Sequence, residues 1–381
     1  MAQPAITLVI PNFNRASELE QTLERITELN ELDKQILVID NASTDGAPEM
    51  VERRFPQVEL VRLDQNLGTA ARNVGLERAR ASITLMLDND SYPEPGILKN
   101  IHQAFEQERH LGILACRVKL PSGRHESGGL PGVFVGCGAA MRTDLIRQLG
   151  GYPEDYGYYV EEYDLSCRVW QSGYRVRWSE QALVHHAKSP SQRNMDRILY
   201  FLTRNNLQLW HRFSPPARRA AMLRQTAARY AAIARIERAV GGFLRGLTGG
   251  WYRIARQYRR RTELTPEQFD ALFGGRAIRA HVEAMQRDGL RTAAIFGWGK
   301  GLEQIIEYLR EGGIAVTRII GDRPLPIRRW MSLPVDRSDG NTLSEDALVV
   351  GSLSPGVAMD YHEQAQTKFP NARVVRLADF S

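Results

Sequence analysis

Two aspartates, Asp88 and Asp90, stand two residues apart directly after the apolar segment 83–87. Carboxylates at this spacing at the end of a strand can point toward one hard cation, and that cation can be shared with the oxygens of a diphosphate. An Asp-x-Asp sequence in a loop is also common as a turn or a helix cap. Asp88 and Asp90 therefore either bind a divalent cation or belong to an ordinary turn.

Acidic residues gather again where Glu161, Glu162 and Asp164 begin a helix-like pattern. The helix dipole favours acids in a first helical turn, which is one explanation of this cluster. Catalysis is the other, because a carboxylate held at a helix start can accept the proton of an attacking hydroxyl. Both explanations stay open at the level of sequence.

Two histidines, His185 and His186, close a strand-like segment. A histidine in such a position is most often packed or hydrogen-bonded in a protein core. Neutral imidazole is also a ligand for a transition divalent ion such as Mn²⁺, so one of the pair can complete a site with Asp90.

Secondary-structure elements must bring these acids and histidines together. In the first half of the chain, strand-like segments alternate with helix-like segments. Apolar runs predict strands at 6–10, 35–40, 58–63, 83–87 and 111–120. Between the first two runs, apolar residues at helical spacing predict a helix packed on a sheet. This alternation is typical of an α/β sheet with mainly parallel strands, in which ligands bind at the carboxyl ends of the strands.

The ordered motifs from residue 5 to about 212 resemble glycosyltransferase family 2, and among its members the rhamnosyltransferases. The matching segments are ITLVIPNFNR, VIDNASTDG, RLDQNLGTAARNVGLERA, ITLMLDND, LGGYPEDYGYYVEEYDLSCR, ALVHHAKSPS and the RNN of 204–206. The resemblance implies a GT-A fold and an enzyme that moves a sugar with inversion of configuration. It also implies a divalent cation, Mn²⁺ or Mg²⁺.

The resemblance further implies a role for particular residues. Those implied to bind the nucleotide sugar are Pro11, Asn12, Phe13, Asn14, Arg15, Asp40, Asn41, Ser43, Asn66, Arg72 and Asp88. The implied metal ligands are Asp90 and His186, with Asp88 and His185 as further candidates. Glu162 stands where the family pattern usually has the Asp that acts as base, and Glu161 and Asp164 are alternative bases or acceptor contacts.

The function that the resemblance implies is transfer of a sugar from a nucleotide-sugar donor to a hydroxyl of a glycan or lipid-linked acceptor in cell-surface polysaccharide assembly. Two alternatives are a non-catalytic scaffold built on a transferase fold and an NAD(P)-dependent oxidoreductase that uses the C-terminal segment. Intact acidic motifs argue against the scaffold. The oxidoreductase would leave the first 210 residues without a role.

Three regions are predicted: a transferase domain at 1–212, a basic helical connector at 213–290, and a small α/β domain at 291–381. Residues 218–261 hold twelve Arg and one acid, with an apolar stripe at helical spacing. Such a helix can lie on an anionic membrane surface, or its stripe can pack on the transferase domain. Sparse aromatic residues argue against nucleic acid as a partner.

A glycine-rich turn at 297–301 follows a strand pattern and precedes a helix pattern, which resembles the start of a Rossmann-like unit. Leu302 stands where the third glycine of that motif belongs, so NAD(P) or another nucleotide is not expected there. A structural or docking role is favoured.

Bulk properties are those of a globular protein: 381 residues, 43% hydrophobic, 25% charged, and a net charge of +6. The N-terminus has no signal-peptide pattern and no apolar run reaches the length of a membrane span, which predicts a cytoplasmic protein, either free or peripheral on the inner face of the membrane. Three widely spaced cysteines favour buried thiols over disulfides or a zinc site.

Overall fold

The computed structural model describes residues 3–188, 194–256, 261–323, 327–336 and 343–377. The last three residues of the ALVHHAKSPS segment and residues 257–260 of the basic segment lie outside this part of the chain. The described strands are β1 (Ile6–Asn12), β2 (Lys34–Asp40), β3 (Glu59–Arg62), β4 (Ile83–Met86), β5 (Ser91–Pro93), β6 (Leu111–Lys119), β7 (Ala139–Arg142), β8 (Arg175–His186), β9 (Thr292–Phe296), β10 (Ala315–Ile320), β11 (Arg329–Trp330), β12 (Leu333–Asp336), β13 (Ala347–Val350) and β14 (Val374–Val375).

The described helices alternate with these strands at both ends of the chain and follow one another without strands in the middle. They are α1 (Ala16–Thr27), α2 (Ala47–Arg54), α3 (Ala71–Arg78), α4 (Ile97–Gln107), α5 (Thr143–Gln148), α6 (Glu161–Gln171), α7 (Met195–Phe213), α8 (Pro216–Ile236), α9 (Val240–Arg256), α10 (Pro266–Phe273), α11 (Gly275–Arg287), α12 (Leu302–Glu311) and α13 (Pro355–Lys368).

The first eight strands form one sheet in the order β3-β2-β1-β4-β7-β6-β8-β5. The strands β3, β2, β1 and β4 are parallel, whereas β7 runs antiparallel to both of its neighbours. The prediction of an α/β fold is confirmed, and the sheet is more mixed than the mainly parallel arrangement expected. The other half of the sheet is mixed, because β7 runs antiparallel to β4 and β6, and β5 runs antiparallel to β8.

The central strand β1 shows why this sequence folds as it does. Its residues 6–10 are apolar apart from Thr7 and are fully buried, as expected for a strand covered on both faces. The helix α1 buries Leu19, Leu23 and Ile26 along one face. On α3, a Cβ at Gly75 would lie 2.2 Å from Val9, so this glycine allows the helix to approach the strand closely.

The basic segment forms two helices, since α8 ends at Ile236 and α9 begins at Val240. Two members of the predicted apolar stripe, Ile233 and Phe243, pack against a small core around Leu199. Helix α9 lies directly on α7, where a Cβ at Gly242 would be only 1.9 Å from the backbone of Asp196. None of the helices in the described part of the chain combines the length and apolar character needed to cross a bilayer.

A second sheet follows, in the order β11-β12-β10-β9-β13-β14. Its strands are parallel except for the short β11. One apolar core runs from α6 and α7 through α8, α10 and α11 into this sheet, and includes Trp210, Phe273 and Ile305. The helical middle region is therefore packed between the two sheets, while the predicted borders at 212 and 290 stay a prediction.

Candidate active site

The carboxyl ends of β1 and β2 are joined by side-chain hydrogen bonds. Asn12, which follows Pro11 at the end of β1, donates from Nδ2 to Asp40 Oδ1 at 3.2 Å and to Ser43 Oγ at 3.2 Å. The loop after β4 adds a third partner, because Asn89 Nδ2 donates to Asn12 Oδ1 at 2.9 Å. Asn12 and Asp40 are buried, so they fix the relative positions of the three loops.

The turn after β1 exposes one aromatic ring beside these loops. Phe13 is 42% exposed, and Asn14 adopts a left-handed φ of 50° with its Oδ1 accepting from Thr44 N at 2.7 Å. Arg15 lies 3.7 Å from Asp90 through Nη1 and Oδ2. An exposed ring and a guanidinium next to a carboxylate are groups that can meet a base and a diphosphate.

Two asparagines shape the loop that leads into α3. The buried Asn41 accepts from Leu67 N at 2.7 Å and donates to Gly68 O at 3.1 Å. Asn66 Oδ1 accepts from Gly68 N at 2.8 Å. In this structure both amides hold the loop that precedes Arg72.

Arg72 lies at the centre of the site. Its Nη2 donates to Asp88 Oδ1 at 2.7 Å, its Nη1 is 3.5 Å from Glu161 Oε1, and the guanidinium lies over the Tyr152 ring at 5.5 Å. The residue is 7% exposed. The guanidinium therefore links the loop after β4 to the start of α6.

The pair formed by Asp90 and His186 fits a divalent cation. Asp90 Oδ1 and His186 Nε2 are 3.2 Å apart. Two ligands of one octahedral ion at about 2.1 Å each lie about 3.0 Å from each other. His186 pairs with Ser91 across β8 and β5, which places it beside the loop that carries Asp90.

Further ligand atoms surround this pair. One ligand atom each of Asp88, Cys137 and His186 lie within 4.8 Å of one another. Burial raises the pKa of Cys137 to about 11, so its thiol is protonated at neutral pH, and carboxylate and imidazole are the better ligands for Mn²⁺ or Mg²⁺. The residues present thus fit a cation held by Asp90 and His186, with Asp88 next to them.

The structure adds a carboxylate that the sequence did not single out. Glu126 Oε2 is 3.2 Å from His186 Nδ1, on the opposite side of the ring from Asp90, and it also pairs with Lys188 at 2.9 Å. Although burial opposes it, hydrogen bonds from His186 and Lys188 lower the pKa of Glu126 to about 2. Such an outer partner fixes the orientation of a ligating ring, and no local motif marks it in the sequence.

His185 is not brought to the cluster. Its Nε2 pairs with Glu94, and its ring stacks on Tyr92 with the centroids 5.2 Å apart. Successive residues of a strand point to opposite faces, so His186 and His185 cannot both face Asp90.

The three acidic residues of α6 have different surroundings. Glu161 is buried beside Arg72, and burial together with the Glu162 carboxylate raises its pKa. Burial raises the pKa of Glu162 as well, although Arg72 opposes this. Asp164 is bound by Arg168 at 2.6 Å and Arg212 at 3.0 Å, and thus ties α6 to α7.

Glu162 is the acid that faces open space. Its Oε1 would be 2.8 Å from a Cβ at Gly136, and Arg72 Nη2 would be 3.5 Å from the same point. Glu162 also lines a cavity of about 540 Å³. A carboxylate with a raised pKa at a cavity wall is suited to accept a proton.

Asn205 of the RNN sequence holds the segment before α6 in place. Tyr159 and Val160 both have left-handed φ angles, of 66° and 74°. Asn205 Nδ2 lies within hydrogen-bonding distance of the carbonyl oxygens of Tyr156, Tyr158 and Tyr159, at 3.1, 2.8 and 2.9 Å. This buried amide holds the turn that sets the position of Glu161 and Glu162.

Comparison with known protein families matches two models to adjoining parts of the chain. The model "Glycosyl transferase family 2" matches residues 7–149, and "Glycosyl transferase family group 2" matches residues 124–265. These two ranges contain Arg72 and the acidic and histidine residues described around it.

Curated relatives match over shorter stretches. Glycosyltransferase AglE of Haloferax volcanii is 30% identical over 24% of this chain and 32% of its own length. The N-acetylglucosaminyl-diphospho-decaprenol L-rhamnosyltransferase of Mycobacterium tuberculosis is 22% identical over 49% of this chain and 77% of its own. The chain spans about a third of the length of the first relatives that it matches.

Two solved structures share the fold. Residues 1–349 of S. aureus TarS, in complex with UDP-GlcNAc, match with a TM-score of 0.50 at 18% identity, over 81% of this chain and 90% of that one. GalNAc-T7 with UDP, GalNAc and Mn²⁺ matches with a TM-score of 0.50 at 12% identity, over 67% and 57%. The expected GT-A fold is confirmed. Over residues 7–265 the chain is similar to the two glycosyl transferase models named above.

Proposed function

We propose that this chain is an inverting, metal-dependent glycosyltransferase that moves a sugar from a nucleotide-sugar donor to a hydroxyl of a glycan or lipid-linked acceptor. The observation that carries the proposal is the convergence of Asp88, Asp90 and His186 near Arg72, with Glu162 close to the same guanidinium. The rhamnosyltransferase and TarS, a poly(ribitol-phosphate) β-N-acetylglucosaminyltransferase of Staphylococcus aureus, are among its relatives. They support a role in cell-surface polysaccharide assembly.

The donor is proposed to bind across the carboxyl ends of β1, β2 and β4. Phe13 offers a ring face to the base, and Asp40 and Asp88 offer acceptors to ribose hydroxyls. Arg15, which is 3.7 Å from Asp90, and Arg72, which is 2.7 Å from Asp88, are cations that can bind the diphosphate. A divalent cation held by Asp90 and His186 would act as a Lewis acid on the departing diphosphate.

The acceptor hydroxyl is proposed to lose its proton to Glu162. Attack of its oxygen on the anomeric carbon forms the new glycosidic bond while the bond to the nucleoside diphosphate breaks on the opposite face, which inverts the configuration. The proton passes to a Glu162 oxygen, so the base must start ionised. Arg72 holds the neighbouring Glu161 and helps to keep this acidic pair charged.

A peripheral position on the cytoplasmic face of an anionic membrane is part of the same proposal. Helix α9 exposes four large apolar side chains, Val240, Leu244, Trp251 and Tyr252, with the exposed Arg245 among them. Apolar and aromatic groups next to arginine are suited to the boundary between lipid headgroups and acyl chains.

The two alternatives gain no support from the comparisons. A scaffold and an NAD(P)-dependent oxidoreductase both leave the cluster around Asp90 without a function. The curated relatives described above are transferases by name.

The proposed function is tested by release of free nucleoside diphosphate from a panel of UDP-, dTDP- and GDP-sugars. We expect at least one donor to be turned over with Mn²⁺ or Mg²⁺ and not after chelation with EDTA. Asp90→Ala should lower the rate by about 10³-fold or more, because the metal contributes several kcal/mol to the transition state. Asp144→Ala, which removes an exposed carboxylate, is the matched control.

Turnover that survives in Asp90→Ala would disprove the metal site. Absence of turnover with every donor, from protein that is folded by circular dichroism, would disprove the transferase assignment.

A further inference from the structure

The cavity beside Glu162 is shared between the transferase region and the C-terminal region. It has a volume of about 540 Å³ and lies between α6, α8 and the glycine-rich turn at 297–301. Eight aromatic residues line it: Phe134, Tyr159, Tyr163, Trp210, Tyr230, Phe273, Trp298 and Tyr361. Aromatic faces next to polar groups favour a ligand with both apolar C–H faces and hydroxyls, which describes a sugar ring.

Lys300 of the glycine-rich turn reaches across to the transferase side of this cavity. Its Nζ donates to Gly128 O at 2.7 Å and to Tyr163 Oη at 3.1 Å, one residue from Glu162. An ammonium has three N–H donors, and these two contacts use two of them within the described residues. The third is available to a hydroxyl in the cavity.

Side chains of the protein itself pack against the glycines of the glycine-rich turn. A Cβ at Gly297 would lie 2.3 Å from the Tyr361 ring, and one at Gly301 would lie 2.6 Å from Leu353. Arg229 of α8 fixes the turn by donating to Gly299 O at 2.9 Å and pairing with Glu303 at 2.8 Å. The glycines here allow close packing, and the result is that Lys300 faces the transferase cavity.

The charges around the cavity are largely matched. Arg229 is paired with Glu303, and Glu126 is paired with Lys188. Glu162, Lys300 and Arg323 also line the cavity. With Glu126, Glu303 and Arg229, the lining therefore holds three carboxylates and three cations. Burial lowers the pKa of Lys300, while Tyr230 and Glu162 oppose the change. A balanced lining of this kind suits a glycan more than a highly charged ligand.

We propose that the C-terminal region forms one wall of the acceptor site, and that Lys300 is a positioning residue for a glycan acceptor stacked on the aromatic lining. This rests on the proposed function, because it assigns the acceptor of the same reaction. Lys300 would donate a hydrogen bond to a hydroxyl of the acceptor ring and thereby hold the attacking hydroxyl near Glu162. Trp298 lines the same cavity, and its Nε1–H has no acceptor among the described residues.

The test measures binding of a panel of p-nitrophenyl glycosides to the full chain by calorimetry, together with donor turnover. We expect at least one glycoside to bind the wild type, and Lys300→Met to weaken that binding by about tenfold or more, as for loss of a hydrogen bond from a charged donor. The KM for the donor and its metal dependence should stay within twofold. Lys99→Met, at an exposed lysine of α4, is the matched control.

Two further variants, Lys300→Arg and Trp298→Ala, test the same proposal if Lys300→Met does not fold. Arginine keeps a charged donor and should restore most of the binding, whereas loss of the ring in Trp298→Ala should weaken it. Equal binding by the wild type and by Lys300→Met, or by the wild type and Trp298→Ala, would overturn the proposal. So would a panel in which no glycoside binds the wild type. Donor turnover separates these results from failure of the proposed function, since donor turnover does not require Lys300.

Discussion

The proposed donor half and the proposed acceptor half of this site are built in different ways. The donor half is formed by loops that directly follow β1, β2 and β4, and its contacts join residues of neighbouring parallel strands, such as Asn12 and Asp40. The acceptor half combines α6, α8, the Gly128 segment and the turn at 297–301. A strand end fixes its loop through the sheet, whereas the acceptor half depends on packing between distant segments.

This difference predicts how each half responds to substitution. Changes in the donor half should act on nucleotide and metal binding. Changes in the acceptor half should act on transfer and on stability, because the same contacts hold both the cavity and the core.

Glu162→Gln gives the largest expected effect in the acceptor half. Without a base, transfer to an acceptor should fall by about 10²-fold or more. Affinity for the donor nucleotide, measured by calorimetry, should change by less than twofold. If the affinity for the donor falls as much as the rate of transfer, Glu162 does not belong to the acceptor half alone.

The pH dependence of the transfer rate, measured for the wild type, Glu162→Asp and Glu162→Gln, gives a second test of Glu162 as the base. Burial raises the pKa of Glu162, and a base works only above its pKa, so the acid limb of the wild-type rate profile should lie above the usual range of a carboxylate. Aspartate is the usual residue of the family pattern at this position and should retain activity that Gln does not. If the pH–rate profile of Glu162→Gln had the same acid limb as that of the wild type, another group would be the base.

Asn205→Ala tests the packing of the acceptor half. The change leaves three loop carbonyls without their shared donor, so the free energy of unfolding should fall by about 3 kcal/mol in urea titrations. Asn206→Ala removes a neighbouring amide that contacts Leu202 O and Tyr230 Oη, and should cost less. Equal losses in the two variants would show that the turn before α6 does not depend on Asn205.

Cys137→Ala gives the smallest expected effect. The thiol lies 3.5 Å from His186 Nδ1, but burial keeps its pKa high and the thiol protonated. Donor turnover and its dependence on Mn²⁺ should therefore change by less than threefold. A loss comparable with that of Asp90→Ala would make Cys137 a metal ligand.

Much of the donor half follows from sequence because its residues are local to predicted strands. An apolar run with polar residues after it predicts both the strand and the edge at which its loop lies, as for β4 and Asp90. Glu126 and Lys300 carry no such signal. Their positions depend on contacts with His186 and Gly128, which lie 60 and 172 residues away.

The sequence alone determined an α/β sheet with Asp88 and Asp90 after one of its strands, and it offered two histidines as candidate partners, because strand periodicity and turn composition are local properties. Tertiary structure decided which histidine faces Asp90, because the register of β8 against β5 selects His186. It also decided which acid is available as a base, because Arg168 and Arg212 occupy Asp164 while Glu162 faces the cavity. The physical reason is that charge pairing and burial arise between segments far apart in the chain, and these set the chemistry of each carboxylate.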